Sequence, residues 1–332
     1  MSDRPFRWGI SSPASIAAEF TRSIKSAPSA EVVAVASRDL GRAKAFAGEH
    51  GIGAAFGSLA ELAASPDIDG VYVCSPVHAH AAAVEVIAAA GKAILIEKPF
   101  AVNAAEAEAV FATAKRHNVF IMEAMWTRFL PAWRQIRALV DGGRIGEIRA
   151  ISAGFGFSAL GGSRDEFLLD PVQGGGSLLE VGVYPIQLIQ DYLGTPTRVE
   201  AVIRESGKGA DLDVSAALFF GEKMATVQSS MTQLLPGSAS LSGTFGVIHV
   251  PAFFHAARRF EIQTLDGDAV HPFSLERIDA EPEIGPLAYQ AVHVAERIAQ
   301  GETESDIMSP DDTVATLRII DAIREAARTP VS

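Results

Sequence analysis

The chain has 332 residues, of which 48% are hydrophobic and 20% charged, with a formal net charge of −12. That is the make-up of a globular protein with enough residues for two domains. The acidic balance speaks against a nucleic-acid or anionic-membrane partner, and the lone cysteine, Cys74, excludes an intrachain disulfide and a thiolate metal cluster.

The first residues lack a hydrophobic signal core, and no long uncharged apolar run follows, so a cytoplasmic location is the default expectation. Residues 7–10 read as a short apolar strand and 15–25 as a helix. A buried-strand pattern over 32–36 precedes a helix over 40–50. Residues 71–74 form the next strand, so Cys74 reads as packing rather than as a nucleophile. An Ala-rich helix over 78–90, a strand over 93–96, a helix over 103–117 and a strand over 119–122 continue the alternation. Asn103 reads as an N-cap, with Glu106 completing a capping box. Strands alternating with helices imply right-handed βαβ units and a doubly wound parallel sheet.

The rhythm changes after residue 125. A helix over 131–140 and a strand over 148–157 lead to Gly174-Gly175-Gly176 and an apolar helix over 177–192. From 198 to 273 strand follows strand, with hairpin turns read at Gly221-Glu222 and Asp266-Gly267-Asp268. Helices over 287–300 and 310–328 close the chain, with Asp311 and Asp312 in the first turn of the last. The expected architecture is α/β: a dinucleotide-binding domain over 1–125 and an α+β domain on an antiparallel sheet over 126–332. The C-terminal helix is free to pack back on the first domain.

The strand over 93–96 ends on Glu97-Lys98-Pro99, which places a carboxylate and an ammonium at the open edge of the sheet. In open α/β sheets, ligands bind outside the carboxyl ends of the strands. The first crossover reads Ser12-Pro13-Ala14-Ser15-Ile16-Ala17 where a dinucleotide site usually has G-x-G-x-x-G/A. Serine and alanine are nearly as small as glycine, and the hydroxyls of Ser12 and Ser15 suit a phosphate at a helix N-terminus. The second strand ends in Ser37-Arg38-Asp39. Arg38 suits a 2′-phosphate and Asp39 reads as the cap of the following helix, so NADP is favoured over NAD.

Four stretches stand in order: Cys74-Ser75-Pro76-Val77-His78-Ala79-His80, Glu97-Lys98-Pro99-Phe100, Met122-Glu123-Ala124-Met125-Trp126-Thr127-Arg128-Phe129, and Gly174-Gly175-Gly176-Ser177-Leu178-Leu179-Glu180-Val181-Gly182-Val183-Tyr184-Pro185. Together the chain resembles the glucose–fructose oxidoreductase/inositol dehydrogenase family. Within it, the chain looks most like the branch of dimeric dihydrodiol dehydrogenases and NADP-dependent D-xylose 1-dehydrogenases. The resemblance implies an N-terminal Rossmann domain and a C-terminal domain on a large open, mainly antiparallel sheet whose face packs on a second subunit. It also implies hydride transfer between a nicotinamide and a carbon of a sugar, polyol or diol.

By the same resemblance the catalytic residues are Lys98 and Tyr184. The cofactor set is Ser12, Pro13, Ala14, Ile16, Ser37, Arg38, Ser75, Pro76, His80, Glu97, Lys98, Glu123, Trp126 and Arg128. The substrate set is Lys98, Trp126, Phe155, Phe157, Glu180 and Tyr184. Glu180 departs from the family, which commonly has Asp there, so the substrate is less defined than the reaction.

Oxidation of an alcohol removes a hydroxyl proton while a hydride leaves. A tyrosine pKa near ~10 is too high for a base at neutral pH, and a neighbouring ammonium, here Lys98, lowers it. Lys98 also suits direct stabilisation of the reacting oxygen, so the proton carrier is left open between it and Tyr184. Glu180 and Tyr184 stand at i and i+4 and share a helix face. Trp126 and Arg128 directly follow the fifth strand of this reading, and Phe155 and Phe157 alternate onto one face of theirs. His78 and His80 lack a third ligand nearby, so no metal is expected. Two other readings are a dinucleotide-sensing regulatory protein and a redox-neutral, NAD-dependent glycosidase. The partners expected are a small-molecule carbohydrate or diol and a second copy of the chain, with no nucleic acid and no membrane.

Overall fold

Short apolar runs bounded by small or polar residues become strands, and the Ala-rich segments between them become helices. The computed structural model describes residues 4–162, 168–265 and 273–328. The chain divides into two units, residues 1–126 with 283–314 and residues 127–282 with 315–332.

In the first unit, β1 (Phe6–Ile10), β2 (Ala30–Ala36), β3 (Ala54–Phe56), β4 (Gly70–Val73), β5 (Ala93–Ile96) and β6 (Ile121–Glu123) form one sheet in the order β3-β2-β1-β4-β5-β6. Every pairing in it is parallel. The helices are α1 (Ser15–Ile24), α2 (Leu40–His50), α3 (Leu59–Ala64), α4 (His80–Ala89) and α5 (Ala104–Arg116). The doubly wound Rossmann order is as expected, with one strand more than the sequence reading: β3, with α3 behind it, was missed. All residues of β4 and β5 are buried, as befits parallel strands covered on both faces. The strand order reverses between β1 and β4, so their carboxyl ends flank the switch point.

Both predicted caps form. Asp39 accepts the N–H groups of Gly41 (2.8 Å) and Arg42 (3.2 Å). Asn103 accepts that of Glu106 at 2.9 Å, while Glu106 reaches back to the N–H of Val102 rather than to the cap residue itself. Cys74 is buried, and burial pushes its thiol up to about 12, so it packs rather than reacts.

In the second unit, α6 (Pro131–Asp141) precedes β7 (Ile148–Gly156). A π-helical turn, Leu178–Gly182, then runs into α7 (Val183–Leu193). The remaining strands are β8 (Arg198–Glu205), β9 (Asp211–Phe220), β10 (Lys223–Ser230), β11 (Ala239–Gly243), β12 (Gly246–Val250), β13 (Arg259–Leu265) and β14 (Phe273–Asp279). They form an eight-stranded sheet, order β14-β13-β12-β11-β7-β10-β9-β8. Its pairings are antiparallel except for β7 with β10, which run parallel. The Gly221-Glu222 hairpin joins the paired residues Phe220 and Lys223, with Gly221 at φ 67°. The turn read at Asp266-Gly267-Asp268 lies outside the described residues.

One face of this sheet carries α7, which packs on β7 and β10. The other face shows short side chains (Ser152, Ser215, Thr226, Ser240) beside Val202 (68% exposed) and Met224 (43%). The helix α8 (Ala288–Ala299) belongs to the first unit, and α9 (Pro310–Arg328) begins in the first and ends in the second. No described helix is long and apolar enough to cross a membrane.

Candidate functional site

At the switch point, the Ser11 hydroxyl accepts the Cys74 N–H at 3.0 Å, and the Cys74 thiol donates to the Ser12 carbonyl at 3.2 Å. These bonds tie the turn after β1 to the turn after β4. The α1 helix opens at Ala14 with no side chain accepting from its first N–H groups, so the amides after Ser12-Pro13-Ala14, including that of Ile16, are uncapped by protein side chains. The Ser75 hydroxyl, next to Pro76, is buried without a hydrogen-bond partner. An uncapped helix start and an orphaned buried hydroxyl at the same switch point fit a dinucleotide phosphate.

The turn after β2 sorts its charges. The Ser37 hydroxyl accepts the Asp39 N–H at 3.2 Å, and the Asp39 carboxylate is spent on the α2 cap. Arg38 is exposed. Arg42, which the sequence reading passed over, extends its guanidinium to the Pro13 carbonyl at 3.4 Å. A second cation therefore reaches the first turn from α2. Its signal in the sequence was its place four residues after Arg38.

Beyond β5 the Lys98–Pro99 peptide is cis. Lys98 is half-buried, but Glu97 corrects the expectation of a carboxylate at the open edge. Glu97 is 7% exposed and accepts from the hydroxyl of fully buried Tyr72 and from the Lys98 N–H at 3.1 Å. Tyr72 stacks on Phe20 at 3.9 Å, so the carboxylate is drawn into the sheet.

Glu123 is buried likewise. It is 2% exposed, and its oxygens accept from the Phe100 N–H (3.2 Å) and the Thr313 hydroxyl (3.0 Å). It braces the turn that follows Lys98. His80 is also buried: Nδ1 lies 3.0 Å from the Phe100 carbonyl and Nε2 2.9 Å from the Ser75 carbonyl. Burial pushes its pKa down, against the two carbonyls, which favour the imidazolium. It straps the turn after β4 to the turn after β5. Trp126 is half-buried and opens the short 3₁₀ turn Trp126–Phe129 after β6, the sixth strand rather than the fifth.

In the second unit the structure brings Tyr184 and Phe155 together, with ring centroids 5.9 Å apart at 63°. Tyr184 is 8% exposed. His255, carried by the β12–β13 loop, completes the cluster. Its ring stacks on Phe155 at 4.3 Å and lies 5.1 Å from that of Tyr184. No motif in the sequence marks His255.

Phe157 falls one residue past β7 and packs on the apolar cluster of Ala159, Leu168, Val181 and Met231. Glu180 is half-buried in the π turn, so its i, i+4 relation to Tyr184 crosses from π to α geometry rather than running along one regular helix. Single-turn π segments recur at functional sites.

The start of that turn is held by Asp211 on β9. Its carboxylate, 6% exposed as a residue, accepts the Leu178 N–H at 2.7 Å and pairs with Arg324 at 3.5 Å. Burial pushes the Asp211 pKa up, and Arg324 and the Leu178 N–H pull against it. Gly176, at φ 124°, lies so close that a Cβ there would meet the Asp211 carboxylate at 2.8 Å. Arg128 does not present a free cation: its guanidinium pairs with Asp191 on α7, which also holds Arg137.

The family described as an oxidoreductase family with an NAD-binding Rossmann fold matches residues 9–125, and the GFO/IDH/MocA C-terminal domain matches residues 133–249. The chain is 35% identical over 328 residues to trans-1,2-dihydrobenzene-1,2-diol dehydrogenase of Homo sapiens, covering 96% of both. It is 34% identical over 320 residues to the enzyme of the same name from Xenopus tropicalis, covering 95% of this chain and 96% of that one. Among solved structures it is similar to the 3-ketoreductase KijD10 of Actinomadura kijaniata in complex with NADP and TDP-benzene. The TM-score is 0.82 at 26% identity, over 97% of this chain and 98% of that one. Levoglucosan dehydrogenase in complex with NADH and L-sorbose shares the fold, with a TM-score of 0.87 at 19% identity over 98% and 97% of the two chains.

Proposed function

Because the chain belongs to the GFO/IDH/MocA family of oxidoreductases with an NAD-binding Rossmann fold, we propose that it is an NADP-preferring dehydrogenase or reductase. Its substrate in this reading is a ring-borne hydroxyl or carbonyl of a trans-dihydrodiol, sugar or polyol. A dihydrodiol substrate would place it among enzymes that oxidise a CH–CH pair, and a sugar among those that oxidise a CH–OH group. The observation that carries the reading is the switch point itself. An uncapped α1 start and the orphaned Ser75 hydroxyl meet a turn whose acid, Asp39, is spent on a cap while Arg38 stands exposed.

In this reading Ser12, Pro13, Ala14, Ile16, Ser75 and Pro76 line the pyrophosphate, and Arg38 beside Ser37 meets the 2′-phosphate with Arg42 behind it. The bound nicotinamide supplies the hydride acceptor or donor. Tyr184 exchanges a proton with the substrate hydroxyl. The Lys98 ammonium stabilises negative charge as it develops on the reacting oxygen. Glu97 and Glu123 act one step back, by bracing the backbone on either side of Pro99. Phe155 offers the apolar wall, Glu180 a carboxylate for substrate hydroxyls, and Trp126 an aromatic edge.

The reading includes a cytoplasmic homodimer through the open face of the eight-stranded sheet. Small central side chains let two such faces approach closely, and covering Val202 and Met224 removes apolar surface from water.

Absorbance of the reduced nicotinamide across trans-diols, aldoses, inositols and anhydro sugars, with NADP and NAD in parallel, tests the function. Turnover of one class with NADP ahead of NAD is the expected outcome. NADP binding without turnover of any class would return weight to a sensing protein or a redox-neutral glycosidase.

A further inference from the structure

The π turn Leu178–Gly182 decides how Glu180 stands to Tyr184, and it is held from outside its own helix. Ser177, at the cap position, provides no side-chain cap. Asp211 on β9 takes that part: Oδ1 accepts the Leu178 N–H at 2.7 Å and the Ser177 hydroxyl at 3.3 Å. The Ser177 hydroxyl also lies 2.9 Å from that of Ser229 on β10. The far end of the turn comes down on the same residue, since a Cβ on Gly182 would stand 3.1 Å from that of Ser229. Both ends of the turn thus rest on β9 and β10 through two residues that are 6% and 1% exposed.

A carboxylate this buried stays ionised only when a cation meets it. Arg324, toward the end of α9, does so, with its guanidinium 3.5 Å from Oδ2, the oxygen opposite the one that holds the turn. The other carboxylates on these elements are placed differently. Asp213, two residues along β9, is taken by Arg204 and by the hydroxyls of Ser230 and Thr232. Glu180 is half-buried in the turn itself, and Asp321 and Glu325 stand on α9 on either side of Arg324 in sequence. Burial favours the protonated Asp211 carboxyl and Arg324 the ionised one. An ionised acceptor holds an N–H about twice as strongly as a neutral one.

We propose that Arg324 is a positioning residue: from the C-terminal helix it keeps Asp211 in the form that grips the π turn, and through that turn it sets where Glu180 and Tyr184 stand. The proposal rests on the hydride-transfer reading only for the roles of Glu180 and Tyr184. Without the guanidinium, Asp211 takes up a proton at a higher pH, and the turn loses its charged acceptor there.

The test uses the full chain made with 3-fluorotyrosine, in which loss of one signal in Tyr184→Phe assigns Tyr184 among the four tyrosines. Its fluorine NMR shift and the amide-exchange protection of residues 178–182 are followed across pH with NADP present. Turnover of the panel substrates is recorded alongside. The variants are Arg324→Met, Arg324→Gln and Arg324→Lys, each checked by its thermal midpoint. In the neutral variants the pH below which the Tyr184 signal moves should rise by about one unit or more. Protection of the turn should fall about tenfold below that pH, the margin of a charged over a neutral hydrogen bond, and kcat should follow with the Kd for NADP unchanged. Arg324→Lys should return most of the shift. In an Asp211→Asn background the dependence on pH and on Arg324 should vanish, because the amide does not titrate. A wild-type profile in whichever neutral variant folds, or an Arg324 effect that persists undiminished with Asp211→Asn, would overturn the proposal. The spectroscopic profile without nicotinamide reduction by any panel substrate would support the positioning role and count against the hydride-transfer reading.

Discussion

The Tyr72 hydroxyl donates to the Glu97 carboxylate, in a layer where Tyr72 has no exposure to solvent. Glu97 in turn accepts the N–H of Lys98, so a fully buried phenol sets the backbone from which the proposed catalytic ammonium projects. Tyr72→Phe leaves that carboxylate short of a donor, and we expect a loss of about 1–3 kcal/mol of stability. Urea unfolding measures it, and kcat should fall in the same variant. An unchanged midpoint and rate would mean that Glu97 does not depend on Tyr72.

The turn after β2 separates the two nicotinamide cofactors. Arg38→Ala removes the exposed guanidinium while Asp39 keeps its cap. We expect the Kd for NADP to rise about tenfold or more, the scale of a charged phosphate contact, with little change for NAD. Calorimetry with both cofactors decides it. Equal effects on the two would move the 2′-phosphate elsewhere, with Arg42 the next residue to vary.

Gly176 is the point at which the approach to Tyr184 is most constrained. Its φ of 124° disfavours any side chain, and an added Cβ meets the Asp211 carboxylate. Gly176→Ala should cost about 1–3 kcal/mol. Because the displaced carboxylate holds the start of the π turn, kcat should drop as well. A thermal melt and steady-state kinetics check both, and a stable, fully active variant would show that the turn tolerates the shift.

Acid should weaken the first unit through Asp69. Burial alone would raise its pKa. The Arg4 and Arg7 guanidiniums and the Arg7 N–H at 2.9 Å outweigh burial and hold the carboxyl well below its usual range. A folded-state pKa below the unfolded one means the stabilisation is present above about pH 4 and fades as pH falls further. Asp69→Asn should therefore cost about 1–2 kcal/mol at pH 7, discounted because the pair is partly open to solvent, and progressively less as pH falls below about 4, with part of the difference still present near pH 2. Unfolding curves of both proteins across pH give the comparison, and a difference independent of pH would contradict it.

What could be read from the residues alone follows from how local each signal is. The strands Gly70–Val73 and Ala93–Ile96, read at 71–74 and 93–96, form because the runs are short, apolar and rich in β-branched residues, and Asp39 and Asn103 cap helices through neighbours two or three residues away. The strand β3 and helix α3 are too short to show a period. The π turn was illegible because its start is held by Asp211, more than thirty residues downstream. Charge in a motif also does not say where the side chain turns: Glu97, Glu123 and Arg128 were all noticed, and each is drawn to a partner inside its own unit. His255 was missed for the opposite reason. It belongs to no motif, and the β12–β13 loop brings it beside Tyr184 from far along the chain.

The most direct measurement is isotope transfer. A substrate from the panel, deuterated at the carbon bearing the reacting hydroxyl, is incubated with NADP and either the wild type or Lys98→Met. The account predicts deuterium at C4 of the reduced nicotinamide from the wild type. It also predicts loss of about a hundredfold or more in rate from Lys98→Met, with NADP affinity retained. Substrate consumed with no deuterium reaching the nicotinamide pool, or a Lys98→Met variant that transfers label at the wild-type rate, would contradict it.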